Sequence, residues 1–176
     1  NVTGLELTAI GYQAAGSQAG ASDDGNTFVG ARAGQVANGA ATAYNTGIGR
    51  LSLAALTTGG VNTAVGSNSG DSITSGMSNV AIGNATAAAI TTGSYNVAIG
   101  SYALQQATAG AFSNVAIGYY SMFAASPVYC NVAVGQETLK GDTAGSNVAI
   151  GYQAGKDNGT GLSLTAIGFQ AGTAQA

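Results

Sequence analysis

Asn79-Val80-Ala81-Ile82-Gly83 recurs unchanged at 96–100, 114–118 and 147–151. Close variants end at Gly135, Gly66, Gly49 and Gly30, and two more, Leu7-Thr8-Ala9-Ile10-Gly11 and Leu164-Thr165-Ala166-Ile167-Gly168, replace Asn by Leu. The closing glycines fall at 11, 30, 49, 66, 83, 100, 118, 135, 151 and 168, so the spacing stays between 16 and 19 residues. Ten copies at so steady a period describe a stacked array rather than an ordinary globular domain.

The residue before each closing glycine is Ile or Val, and two residues earlier stands Thr or Val. Two β-branched columns separated by two residues share one face of a strand. The apolar run is too short for a helix and has the wrong period. Each copy therefore predicts a strand of about five residues, closed by a glycine at a sharp turn or close backbone approach. Three residues past the glycine the position is always Ala, Ser or Thr, which predicts a narrow interior with a second short strand packed across from the first. Loops rich in Gly, Ser, Thr and Asn, such as 17–25 and 124–129, bring the chain back. The fold class that follows is all-β: a parallel β-solenoid of about ten coils over 1–176. With strands paired at ~4.8 Å, the rod is roughly 45–50 Å long. No coil can bury its apolar face alone, so stability comes from neighbours.

Three expectations concern where side chains go. The Ile/Val column is assigned inward with its Thr/Val neighbour, so a carboxylate at Ile99 should abolish folding. Between them lies Ala in eight of ten copies, with Phe28 and Gly47 as exceptions. Parallel sheets are normally covered on both faces, so this alanine column is expected at an interchain surface, where Ala98→Arg would dissociate or unfold an assembly. The Asn that opens eight copies has two readings: an amide ladder along the axis, or a turn residue starting the strand.

Composition narrows function. The chain is only 6% charged, has no His, a net charge of −3 and four basic residues, Arg32, Arg50, Lys140 and Lys156. Nucleic acid binding needs clustered Lys and Arg, so it is not expected. No run approaches eighteen apolar residues, so no bilayer-spanning helix is expected. Without His, the Ser-His-Asp and Cys-His devices and the usual zinc sets are unavailable; no catalytic residue, cofactor or metal ligand is assigned. Asp23-Asp24-Gly25-Asn26 is weighed as a Ca²⁺-binding turn against an exposed acidic turn, and the second is preferred. The lone Cys130 cannot form an intrachain disulfide and is read as a small residue near a turn.

Aromatic residues follow the closing glycine at Tyr12, Tyr102, Tyr119, Tyr120, Tyr152 and Phe169, and precede the Asn at Tyr44, Tyr95, Phe112 and Tyr129. The first six are taken as candidate surface contacts for a host surface or glycan. The competing role is packing along the rod or between chains.

The Asn-Val-Ala-Ile-Gly-x-x-Ala/Ser core resembles the YadA-like head repeat of trimeric autotransporter adhesins, a repeat also found in bacteriophage tail-fibre proteins. Thr165-Ala166-Ile167-Gly168-Phe169-Gln170-Ala171 and Asn147-Val148-Ala149-Ile150-Gly151-Tyr152-Gln153-Ala154 are similar to such tail-fibre runs. The resemblance covers essentially the whole chain. It implies a left-handed β-roll, a side-by-side homotrimer, and an extracellular location on a bacterial cell surface or virion tail fibre. The adhesin heads commonly carry Ser where this chain has Asn, and their repeats are shorter. The leading expectation is a non-enzymatic rigid spacer and attachment surface. The rivals are an extracellular filament assembling end to end and a glycan-binding repetitive face. An ice-binding face is disfavoured, because the Thr column (8, 27, 46, 63, 165) is interrupted by five Val. Residues 1–14 match 158–171 at eleven of fourteen positions, so the chain is expected to be a window of a longer fibre whose last coil could pair with its first.

Overall fold

A computed structural model describes residues 6–17, 25–36, 43–107, 110–124, 129–141 and 144–173. Each repeat forms one strand of three residues: β1 Thr8–Ile10, β2 Thr27–Val29, β3 Thr46–Ile48, β4 Thr63–Val65, β5 Val80–Ile82, β6 Val97–Ile99, β7 Val115–Ile117, β8 Val132–Val134, β9 Val148–Ile150 and β10 Thr165–Ile167. They pair in parallel in chain order, as one ten-stranded sheet wound into a β-solenoid. The register is constant: Thr/Val on Thr/Val, the middle residue on the middle residue, Ile/Val on Ile/Val. No helix occurs among the described residues.

The side chains face the opposite way from the sequence expectation. The alanine column points inward: Ala64, Ala98, Ala116, Ala133 and Ala149 are fully buried, and so is Phe28. The Ile/Val column points outward, with Ile48, Ile82 and Ile150 about two-fifths exposed and Val29, Val65, Ile99, Ile117 and Val134 half-buried. The Thr/Val column shares this outer face. Alanine is not at an interchain surface; it is the inner wall of its own coil. The interior is too narrow for bulky residues on both walls, and the bulk comes from elsewhere. Four residues past the closing glycine stand Leu53, Leu104, Met122 and Leu139, and seven past it Leu56, Ile73 and Ile90, all fully buried in one cluster with the alanines. Phe28 shows how little space is spare. Its ring lies where a Cβ at Gly34 or Gly47 would sit 2.6 or 2.9 Å away, so two missing side chains accommodate one large one.

The wall opposite the sheet is not a second strand but a run of turns. The second and fourth residues after each closing glycine have left-handed backbone, as at Tyr102 (φ 61°) and Leu104 (φ 52°), Tyr120 (56°) and Met122 (50°), and Glu137 (55°) and Leu139 (48°). Alternating left- and right-handed residues keeps the peptide groups aligned with the rod axis. The second residue donates its N–H to the preceding coil (Tyr120 N to Ser101 O, 3.2 Å) and the fourth to the following coil (Met122 N to Thr138 O, 2.9 Å). A stacked ladder of backbone hydrogen bonds thus takes the place of strand pairing. The closing glycines from Gly11 to Gly151 have φ between 123° and 138°, and a Cβ there would come within 2.8 Å of neighbouring atoms, in most coils the next glycine's backbone. Both geometry and space reserve these positions for glycine.

The opening Asn residues form a ladder, which decides between their two readings. Each Oδ1 accepts the backbone N–H of the next coil's opening residue at 2.7–3.1 Å, from Asn26–Asn45 through Asn147–Leu164. From Asn45 to Asn114 each Nδ2 also donates to the preceding Oδ1 at 2.9–3.1 Å. Its other proton goes to a return-loop carbonyl, such as Gly76 O from Asn62 and Gly93 O from Asn79. These amides are buried and bonded on both sides. Small polar residues three past the glycine do likewise: Ser69 Oγ donates to Ala81 O at 2.7 Å and Thr86 Oγ1 to Gly100 O at 2.7 Å.

The inverted register separates two neighbouring substitutions. Ala98→Asp places an unpaired carboxylate in the core and should abolish the cooperative thermal transition followed by circular dichroism. Ile99→Asp points outward and should keep the fold. A folded Ala98→Asp beside an unfolded Ile99→Asp would contradict this register.

Candidate interaction surfaces

No pocket opens among the described residues, and there no three His, Cys, Asp or Glu side chains converge to hold a metal ion. Asp23, Asp24 and Asp142 lie outside the described residues, and with the first two goes half of the weighed Ca²⁺ turn. Cys130 is exposed, at a left-handed corner (φ 56°) just before Asn131. What the fold offers is surface, on three sides of the rod.

The first surface is the outer face of the sheet. Its Thr, Val and Ile side chains stand in two unbroken columns over ten strands, with no charged residue in any strand. At ~4.8 Å per coil and about 10 Å across three residues, it forms a flat strip roughly 45 Å long. That area, on the order of 450 Å², falls within the roughly 300–600 Å² of the largest apolar patch on a typical monomer, a size that often marks a functional surface.

The second is the edge where the chain leaves the strands. Here the structure gathers most of the sequence-assigned aromatics. Tyr102 stacks on Tyr120 in the next coil, with centroids 5.0 Å apart and planes 11° from parallel. Tyr119 meets both edge-on, at 6.1 and 4.3 Å. Phe123, not singled out from the sequence, closes on Tyr120 at 4.6 Å, and Lys140 Nζ lies 5.1 Å from the Tyr120 centroid. Tyr152 stacks on Phe169 at 5.3 Å. Tyr12 stands apart, exposed and without a ring partner among the described residues. Because Tyr102 and Tyr120, and Tyr152 and Phe169, occupy equivalent places in successive coils, the stacks run along the rod and cover ring faces. The stacks cover one ring face each, while Tyr12, Tyr119, Tyr152 and Phe169 stay about two-fifths exposed or more.

A charge cluster lies on the same edge. Glu137 accepts from Lys156 Nζ at 2.8 Å, Lys140 Nζ at 3.3 Å and Gln153 Nε2 at 2.8 Å, and Gln170 Nε2 donates on to Gln153 Oε1 at 2.9 Å. The hydrogen bond from Lys156, then that from Gln153, holds the Glu137 carboxyl down at about 2, and the same contact raises Lys156. Asp71 behaves oppositely. Burial raises its pKa against a hydrogen bond from Asn68 Nδ2 (3.0 Å), and its buried Oδ1 has no hydrogen-bond partner among the described residues.

The third surface is the edge where the chain enters the strands. Six successive coils each expose one large apolar side chain there: Tyr44, Val61, Met77, Tyr95, Phe112 and Tyr129. None of the three tyrosines or Phe112 has a ring partner among the described residues.

Glu137 gives a pH signature. Its pKa is lowered on folding, so it stabilises the fold above the unfolded carboxyl range and loses that contribution as pH falls toward 2. Asp71, raised on folding, contributes with opposite sign in the same acid range. Glu137→Gln should therefore flatten the acid loss of thermal stability, and Asp71→Asn should steepen it. Identical melting-versus-pH curves for wild type and Glu137→Gln would refute the assignment.

No protein-family model, curated protein or solved structure matches this chain.

Proposed function

We propose that this chain is a non-enzymatic, structural and adhesive fibre segment: a rigid rod that packs side by side with two further copies through the outer face of its sheet. The observation that carries the reading is that face itself. Ten strands hold Ile, Val and Thr in strict register and without charge on a surface that one chain leaves open. A face of this kind is stabilised when covered, and a second and third copy present the same columns at the same spacing. The resemblance to YadA-like head repeats supports three chains, and with them an extracellular place in a bacterial surface adhesin or a phage tail fibre. The rigidity such a role requires is supplied by the ladders described above, which bond every coil to the next.

Sedimentation equilibrium or light scattering tests the reading. The expected mass is about 51 kDa, three times the 16.9 kDa of one chain. The double substitution Ile99→Asp/Ile117→Asp should shift it to one chain while the circular dichroism spectrum stays that of a β-protein. A wild-type mass of one chain at tens of micromolar would overturn the proposal.

A further inference from the structure

The stripe on the strand-entry edge lies apart from the outer face of the sheet. Tyr44 and Tyr95 occupy a left-handed corner (φ 60° and 61°) where other coils place Ser78, Ser113, Ser146 and Ser163 at the same φ. An aromatic residue there gains nothing from the backbone, which disfavours it, and little from burial, since Tyr44 is 66% and Tyr95 59% exposed. Phe112 and Tyr129, 41% and 49% exposed, stand one residue earlier in the next two coils. Parallel bridges Ser94–Phe112 and Phe112–Tyr129 hold this backbone in register, with Ser113 N donating to Ser94 O and Cys130 N to Phe112 O at 3.1 and 3.0 Å.

Two rings of this edge are placed differently from the stacked pairs on the opposite one. Tyr44 lies against Gly25, where a Cβ would sit 2.7 Å from its Cδ1, and Tyr129 lies against Gly145, where a Cβ would sit 2.6 Å from its Cδ2. Each ring rests on bare backbone and presents its other side to solvent. The rings at 102, 120, 152 and 169 instead cover one another.

We propose that this edge binds an extended, uncharged polysaccharide lying along the rod, with Tyr95, Phe112 and Tyr129 stacking on successive sugar rings and Tyr44 contacting the chain further along. Pyranose rings carry apolar C–H faces that suit open aromatic faces, and hydroxyls that suit Tyr Oη and the neighbouring Ser78 and Ser113. Phe112 and Tyr129 are register partners in adjacent coils, and their coil spacing of ~4.8 Å is comparable to the advance of one sugar in an extended equatorially linked chain. Electrostatics selects among ligands: no charged residue occurs from Ser72 to Gln136. An anionic glycan finds no cation there, and an anionic membrane finds none of the Lys or Arg that would hold it. Rigid rings on a hydrogen-bonded ladder lose little entropy on binding, which favours weak, repeated contacts.

Affinity electrophoresis in gels containing xylan, hydroxyethyl cellulose or galactomannan tests this, with alginate and heparin as charged controls. Retardation is expected by at least one neutral polymer and by neither anionic one. The triple variant Tyr95→Ala/Phe112→Ala/Tyr129→Ala should weaken it about tenfold or more while keeping the wild-type mass and circular dichroism spectrum. Absence of retardation in all neutral gels, or equal retardation of the triple variant, would overturn the proposal. So would a drop in mass of the triple variant, which would assign the stripe to contact between copies. Should the triple variant not fold, each single variant replaces it, and unchanged retardation in all three overturns the proposal. A monomeric wild type that still binds would sink the trimer and leave this inference standing.

Discussion

A buried carboxamide that accepts from the coil above and donates to the coil below is the interaction on which the rest of the rod depends. Strands of three residues supply too few backbone hydrogen bonds to fix their own register, and a slip by one residue would turn every side chain to the other face. The Asn column removes that freedom. A slipped coil would leave a buried Oδ1 or Nδ2 without partner, at roughly 1–3 kcal/mol for each group. Seven consecutive links of this kind, Asn26 to Asn147, tie eight coils to one register, and Leu164 donates its backbone N–H to the last Oδ1, that of Asn147.

Once register is fixed, side-chain volume decides what faces where. The small middle residue turns inward because Leu53, Leu104, Met122 and Leu139 reach across from the turn wall. The β-branched columns are then left outside, where they help hold the strand extended and form an uncharged outer face. The two edges divide the aromatic residues. On the strand-exit edge they stack coil on coil beside the Glu137 cluster and stiffen the rod. On the strand-entry edge Tyr44 and Tyr129 lie singly against glycine, and they, Tyr95 and Phe112 stay open. Proposed trimer and proposed glycan edge thus use different surfaces of one coil.

The repeat, the parallel sheet, the narrow interior and the glycine closures were legible in the sequence because each is imposed at every coil. The direction of the strand side chains was not, because ranking residues by hydrophobicity places Ile and Val inside. A local signal pointed the other way: Phe28 and Gly47, the two departures from alanine, stand in adjacent coils, and Gly34 lies six residues past Phe28. Such compensation of volume occurs only in a packed interior. The left-handed turn residues left no trace, since Leu51, Tyr102 and Glu137 are not residue types that favour positive φ. Stacking at Tyr102 and Tyr120 was implicit in their equivalent positions in successive coils, whereas the bare glycine beneath Tyr129 depends on how the return loop runs.

The most direct test of the account is hydrogen exchange of the Asn side-chain amides, followed by nuclear magnetic resonance. If Asn62, Asn79 and Asn96 are locked between coils, their Nδ2 protons should exchange only through global unfolding, as slowly as the strand amides of Val80 and Val97. Side-chain amides that exchange at the rate of free asparagine while the strand amides stay protected would contradict the ladder, and with it the register from which both proposed surfaces follow.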